Sequence, residues 1–224
     1  MGAFHQPIYE KIKNVLRERI LSEEIEPGSR ITIQEIAQKY GVSQMPVREA
    51  LQWLQGEGLL KITPHKGAKV NFINAQLIKN HYEIRGAIAL LLARKSIARM
   101  SDGAILELEK KQEEYEEAAE QEDTGLMLRR DRDFHLHIYN HSENQDAVEI
   151  YDRYSELLGA LRKKYGWGER WRKEKVVQHV DMIRALKERD VDLLEAMITS
   201  HNENAEQDLL MQMSLREQNR TLVH

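Results

Sequence analysis

Ser43-Gln44-Met45-Pro46-Val47-Arg48-Glu49-Ala50-Leu51 decides how the first third of this 224-residue chain is read. Val47, Ala50, Leu51 and Leu54 recur at helical spacing. Ser43 stands where a helix N-cap belongs, and Pro46 falls in the first turn, where its missing N–H leaves no helical bond unmade. Just upstream, Ile33, Ile36, Ala37 and Tyr40 form a second apolar stripe that stops at Gly41, where the backbone is free to turn sharply. Two short amphipathic helices this close must share one small core. Downstream of Gly56-Glu57-Gly58, residues 59–63 and 68–72 alternate like strands around Pro64-His65-Lys66-Gly67. Helix, glycine turn, helix and basic hairpin together make the plan of a winged helix-turn-helix. In that plan the second helix enters the major groove of DNA by its first turn, and the hairpin tip meets phosphate or the minor groove. Ser43, Gln44 and Arg48 lie off the apolar stripe at the entering end, while His65, Lys66 and Gly67 form the tip. A supporting first helix is marked by Ile8, Ile12, Val15, Leu16 and Ile20, which run up to the stop signal Glu26-Pro27-Gly28.

Charge divides at the same place. Residues 1–73 hold ten Lys or Arg against eight Asp or Glu, whereas residues 74–224 hold 23 against 29. A weakly basic head on an acidic body implies local DNA affinity that depends on two heads acting together. The chain has no cysteine, which excludes disulfides, thiolate metal sites and cysteine nucleophiles. It shows neither an apolar run of membrane-spanning length nor a signal-peptide core, so a soluble, cytoplasmic protein with no membrane partner is expected.

Beyond Asn74 no proline occurs, and Leu, Ala, Glu, Lys and Arg recur at helical period. Helices are predicted near 75–99, 102–122, 125–140, 144–164, 170–188 and 190–215, giving a mostly α protein whose second domain is an all-α, six-helix antiparallel bundle. The expected division is 1–73 for the DNA-binding domain and 74–224 for the bundle. Within the bundle, Asp131 and His135 are four residues apart and share a helix face. His179 keeps spacing with Ile183 and Leu186, and His201 with Leu194, Met197 and Ile198, so both imidazoles are expected to point inward. Taken singly, each is more often a hydrogen-bonded core residue than a ligand. Taken together, three imidazoles and one carboxylate suit a first-row divalent ion, zinc or nickel, with positions left open for water or an organic acid.

Two resemblances sharpen these readings. Pro46-Val47-Arg48-Glu49-Ala50-Leu51, then Leu54, Glu57-Gly58-Leu59 and Gly67, resemble the GntR family of bacterial transcription regulators over roughly residues 7–73. That resemblance implies a homodimer reading a palindromic double-stranded operator, with Gln34 reaching the DNA backbone and Gln44 and Arg48 reading bases. Family members commonly carry arginine where Gln44 stands. Glutamine suits adenine as arginine suits guanine, so a different operator base is implied at that position. Asp131-x-x-Phe134-His135, Asn144, His179 with Ile183, Ala185 and Asp190, and Ala196-Met197 leading to His201 resemble the C-terminal FCD domain of the FadR branch over roughly residues 76–215; six helices rather than seven look like its VanR subgroup. In many members the matching aspartate and three histidines hold a metal ion that helps bind a small carboxylate effector. Arg85 matches an arginine often near the effector, with Ala89 where the family often has glutamate, and Asn204 is a further candidate for the effector cavity. The expectation is a ligand-responsive repressor and no enzyme. A metal-dependent hydrolase and a DNA-binding protein with a purely structural metal are the alternatives.

Overall fold

A computed structural model describes residues 6–64 and 66–221 and divides the chain into two compact units, one through Leu77 and one from Ile78 onward. In the first unit, α1 (Ile8–Leu21), α2 (Ile33–Tyr40) and α3 (Gln44–Gly56) are joined by β1 (Arg30–Ile31), β2 (Leu60–Thr63) and β3 (Gly67–Val70). The sheet order is β1-β3-β2, antiparallel throughout, with Arg30 opposite Lys69 and Lys61 also opposite Lys69. The strand β1 was not expected, and β3 ends two residues short of Phe72, whose ring is 66% exposed.

Ile12, Leu16 and Ile20 of α1 join Ile36 and Ala37 of α2 and Val47, Ala50, Leu51 and Leu54 of α3 in the core. Ile8 and Val15, read as part of the α1 stripe, are exposed at 55% and 37%. The α2 start is held by a capping box: Thr32 accepts from the Glu35 amide, and Glu35 in turn accepts from the Thr32 amide at 2.9 Å. Gly41 closes α2 in the left-handed region, φ 62°. At α3, Ser43 occupies the N-cap position, but its side chain makes no capping bond. Arg17 and Glu57 form a bidentate ion pair buried under α1 and α3, with the Arg17 Nε donating to Glu57 Oε2 at 2.8 Å.

The second unit consists of α4 (Ala75–Ile97), α5 (Asp102–Glu120), α6 (Thr124–Tyr139), a 3-10 turn (Asn140–Ser142), α7 (Gln145–Tyr165), α8 (Glu169–Glu188) and α9 (Val191–Thr221). These are the six helices expected, with α9 running six residues further. Ser101, Asp123, Asn144 and Asp190 each cap the following helix by accepting a backbone N–H three residues on. Leu92, Ala93, Leu108, Phe134, Ile138, Met182, Leu186, Leu194 and Ile198 form the main core. Polar side chains on α5, α6, α8 and α9 interrupt the apolar interior beside it, and the second unit's chemistry lies there.

Candidate metal centre and nucleic-acid interface

Each histidine of the predicted cluster is carried inward by an otherwise apolar stripe: His135 with Phe134 and Ile138, His179 with Met182 and Ile183, His201 with Ile198 and Ala205. The three side chains are 0–5% exposed, and one ligand atom from each, with one from Asp131, lie within 4.8 Å of one another. Asp131 Oδ1 is 3.5 Å from His135 Nε2 and 3.4 Å from His179 Nε2, while His135 Nε2 and His201 Nε2 are 3.2 Å apart.

Neighbouring amides fix which nitrogen of two imidazoles is free. Gln112 donates its Nε2–H to Glu116 at 2.8 Å, which turns its carbonyl oxygen to His179 Nδ1, also at 2.8 Å. His201 Nδ1 meets Gln178 Oε1 at 3.0 Å. In both cases Nδ1 carries the proton and Nε2 presents a lone pair to the cluster, the arrangement that orients metal-binding histidines. Phe134 stacks flat on His179 with centroids 4.1 Å apart, and Trp171 lies 5.4 Å from His201, so the rings are held by packing as well.

The electrostatics point the same way. Burial pushes the pKa values of all three histidines down, His179 to about 3, so all are neutral near pH 7. Burial also opposes ionisation of Asp131, but the Lys175 ammonium outweighs it and holds this carboxyl well below the usual carboxylate range. The His179 Nε2 atom is buried without a hydrogen-bond partner. Three neutral imidazoles, one ionised carboxylate and an orphaned ring nitrogen are the donor set a borderline divalent ion takes, so these residues fit the metal expected.

Several neighbours of this cluster were not anticipated. Lys175 is 2% exposed, and its Nζ lies 2.6 Å from Asp131 Oδ1; burial lowers its pKa to about 8 against the pull of that carboxylate. It precedes His179 by four residues on α8, so the shared face was visible in the spacing. Gln112 and Gln178 had no comparable signal. Arg85 lies over the rings of Tyr82 and Tyr151 and donates to Asn202 Oδ1 at 3.0 and 3.3 Å. Asn202, rather than Asn204, is therefore the asparagine at Arg85; Asn204 is half-buried and reaches Ser200 Oγ at 3.5 Å. An open cleft of about 430 Å³ between α4 and α9 is lined by Glu83, Glu203 and Glu206, carboxylates that would repel an anion.

In the first unit, Gln34, Ser43, Gln44 and Arg48 are all exposed, as is Lys66. His65 lies outside the described residues. Gly67 has φ 78°, and a Cβ there would come within 2.7 Å of the Ile31 carbonyl oxygen, so its glycine is required by the β1–β3 pairing irrespective of any ligand. The register also places Arg30, Lys69 and Lys61 side by side on one exposed face of the sheet. Adjacent like charges cost stability unless a polyanion covers them.

Comparison with known proteins accounts for both halves. The family model described as "Bacterial regulatory proteins, gntR family" matches residues 8–70, and that described as "FCD domain" matches residues 80–204. The chain belongs to the GntR family of bacterial transcription regulators, in its FCD-domain branch. It is 28% identical over 196 residues to the HTH-type transcriptional repressor RspR of Escherichia coli, covering 88% of this chain and 86% of that one. It is 29% identical over 177 residues to the Nta operon transcriptional regulator of Aminobacter aminovorans, covering 78% of this chain and 81% of the other. Among solved structures, E. coli McbR/YncC shares the fold at a TM-score of 0.68 and 20% identity, covering 95% of this chain and all of that one. This GntR-family protein is a transcription regulator with an effector-binding domain, not an enzyme. No helix among the described residues is long and apolar enough to cross a membrane.

Proposed function

We propose that this protein is a cytoplasmic, homodimeric repressor of the FadR branch, VanR subgroup, that senses a small organic acid through a divalent ion, zinc or nickel, held by Asp131, His135, His179 and His201. The observation that carries this reading is the meeting of those four side chains, drawn from α6, α8 and α9, with their ligand atoms within 4.8 Å. When bound, the ion supplies a Lewis-acidic anchor for a carboxylate. The chain's own residues do the rest: Gln112 and Gln178 orient two imidazoles, the aromatic rings exclude water, and Arg85 supplies a cation near Asp131. Residues 1–73 form the DNA-binding domain, in which Gln34, Ser43, Gln44, Arg48, His65, Lys66 and Gly67 meet a palindromic operator; residues 74–224 sense and dimerise. Acid and operator binding are reciprocally linked, since an acid that favours one arrangement of the dimer must change operator affinity by the same factor.

Two measurements test this. Selection from a random duplex pool should enrich an inverted repeat bound by the wild type and lost with Arg48→Ala. Protein purified without chelator should carry close to one divalent ion per chain, and His179→Ala should carry none. A full ion complement in His179→Ala would remove the sensing half of the proposal.

A further inference from the structure

Lys175 is unlike the other buried cations of the bundle. Arg162, equally buried, is neutralised by Asp208 and donates to the backbone carbonyls of Ala205 and Gly166, which leaves only its Nε without a partner. Lys175 has a single carboxylate contact, Asp131 Oδ1, and that atom belongs to the set that would hold the ion. Three aromatic rings also lie near it: its Nζ is 4.6 Å from the ring centroid of Trp167, 5.6 Å from that of Tyr115 and 5.9 Å from that of Trp171. Each of those three rings carries a donor, and Tyr115 Oη, Trp167 Nε1 and Trp171 Nε1 are all buried with no hydrogen-bond partner in the protein. Buried donors left without acceptors are costly, and three of them, on the rings around one ammonium, describe a place for oxygen atoms that the chain itself does not provide.

Charge counting leads to the same ligand. Asp131 is the carboxylate that pulls on all three imidazoles and on Lys175, and against its single negative charge stand Lys175 and Arg85. A divalent ion drawing on Asp131 adds two positive charges and takes a share of the carboxylate from Lys175. One carboxylate offsets only part of that excess in so dry a site.

We propose that Lys175, with Tyr115, Trp167 and Trp171, forms a second anion subsite, and that the effector carries at least two anionic groups, one at the ion-holding residues and one at Lys175. This rests on the sensing function proposed above. The acid is bifunctional, and its second anionic group is recognised by a charge-assisted contact with Lys175 backed by aromatic donors.

The test uses matched acids that differ by one carboxylate: butanoate against butanedioate, and benzoate against benzene-1,2-dicarboxylate. Calorimetric titration into the zinc-loaded full-length protein should show the diacid of at least one pair binding about tenfold or more tighter than its partner. That gain would come despite the larger hydration of the dianion. Lys175→Met should bring the ratio of diacid to monoacid affinity close to one, whatever it does to the affinity for either alone, and Trp171→Phe, which keeps the ring and removes one donor, should reduce the ratio part-way. Equal binding of mono- and diacids by the wild type would overturn the second subsite and leave the metal-dependent sensor standing, as would an unchanged preference in both variants. If zinc binds and no acid of either pair does, the sensing function fails and this subsite with it.

Discussion

The two units carry their chemistry in opposite ways. In the first, Gln34, Ser43, Gln44, Arg48 and Lys66, all assigned to DNA, are exposed, and Ser43, Gln44 and Arg48 fall within six positions of one another at the start of one helix. In the second, the assigned residues are buried and come from three helices separated by up to 70 positions, Asp131 to His201. The difference teaches where folding free energy and function compete. An exposed reader costs the fold almost nothing, so its residues are free to follow the operator. A buried polar cluster must be hydrogen-bonded and charge-balanced by neighbours, so Gln112, Gln178 and Lys175 become part of the site whether or not they touch a ligand.

The contrast should appear most strongly on acidification. His179 titrates at about 3 in the fold against 6.5 as an ordinary imidazole, and burial lowers His135 and His201 too. A depressed histidine pKa contributes stability that is complete above the unfolded value and is lost as pH falls toward the folded one. Chelated protein should therefore lose on the order of 1 kcal/mol of second-unit stability per pH unit as pH falls from about 6.5 toward 3. The first unit has no corresponding cluster among its described residues. Amide hydrogen exchange, which resolves α1–α3 from α4–α9, should show the second unit opening first, and His179→Gln should flatten its pH dependence. Equal acid sensitivity of both units would break the comparison.

The first unit has a buried ion pair of its own, Arg17 with Glu57. Glu57→Ala leaves the Arg17 guanidinium buried without its carboxylate and should destabilise that unit by about 3–5 kcal/mol, seen as faster exchange in α1 and α3 with α5–α9 unaffected. Next in size comes Arg48→Ala. It should weaken operator binding by about 1–3 kcal/mol per half-site and relax sequence preference there, with no change in melting temperature, because the side chain is exposed. Gln112→Leu sharpens the other side of the contrast. Without the acceptor on His179 Nδ1, metal affinity should fall by about 10–100-fold while DNA binding by the metal-loaded protein stays intact, as competition with a chromogenic chelator and mobility shift would show.

How much of this was legible in the sequence follows the same divide. Periodicity placed the six bundle helices to within two residues, apart from the end of α9, because the breaks between them fall at short polar residues such as Ser101, Asp123 and Asp190. The Asp131, His135, His179 and His201 grouping could be foreseen because each lies on an inward stripe. Their supporting residues could not: nothing local in Gln112 tells it from a surface glutamine, and its role exists only where α5 meets α8. Arg17–Glu57 and the strand Arg30–Ile31 escaped for the same reason, since both depend on pairing across some 40 residues. Thr32-x-x-Glu35 was a readable capping box that the emphasis on apolar spacing passed over. Lys175 was readable too, four residues before His179, but a lysine is read as solvated unless its partner is known.

The smallest expected effect concerns the row of cations that register, not sequence proximity, assembles on the wing. Arg30, Lys69 and Lys61 face the same side of the sheet, and Lys69 lies between two like charges. Within the free protein this arrangement is mildly unfavourable, so Lys69→Gln should leave stability unchanged or raise it by about 0.2–1 kcal/mol. Against DNA the sign reverses. If Lys69 neutralises one phosphate in each half of a dimer, the slope of log affinity against log salt should become shallower by about 0.9 for each contact removed, with every operator variant weakened alike. Arg48→Ala, at a proposed base contact, should instead change the ranking of operators. A Lys69→Gln protein with the wild-type salt slope would show that the row faces away from the duplex, and the interface would contract to α2, the start of α3 and the hairpin tip.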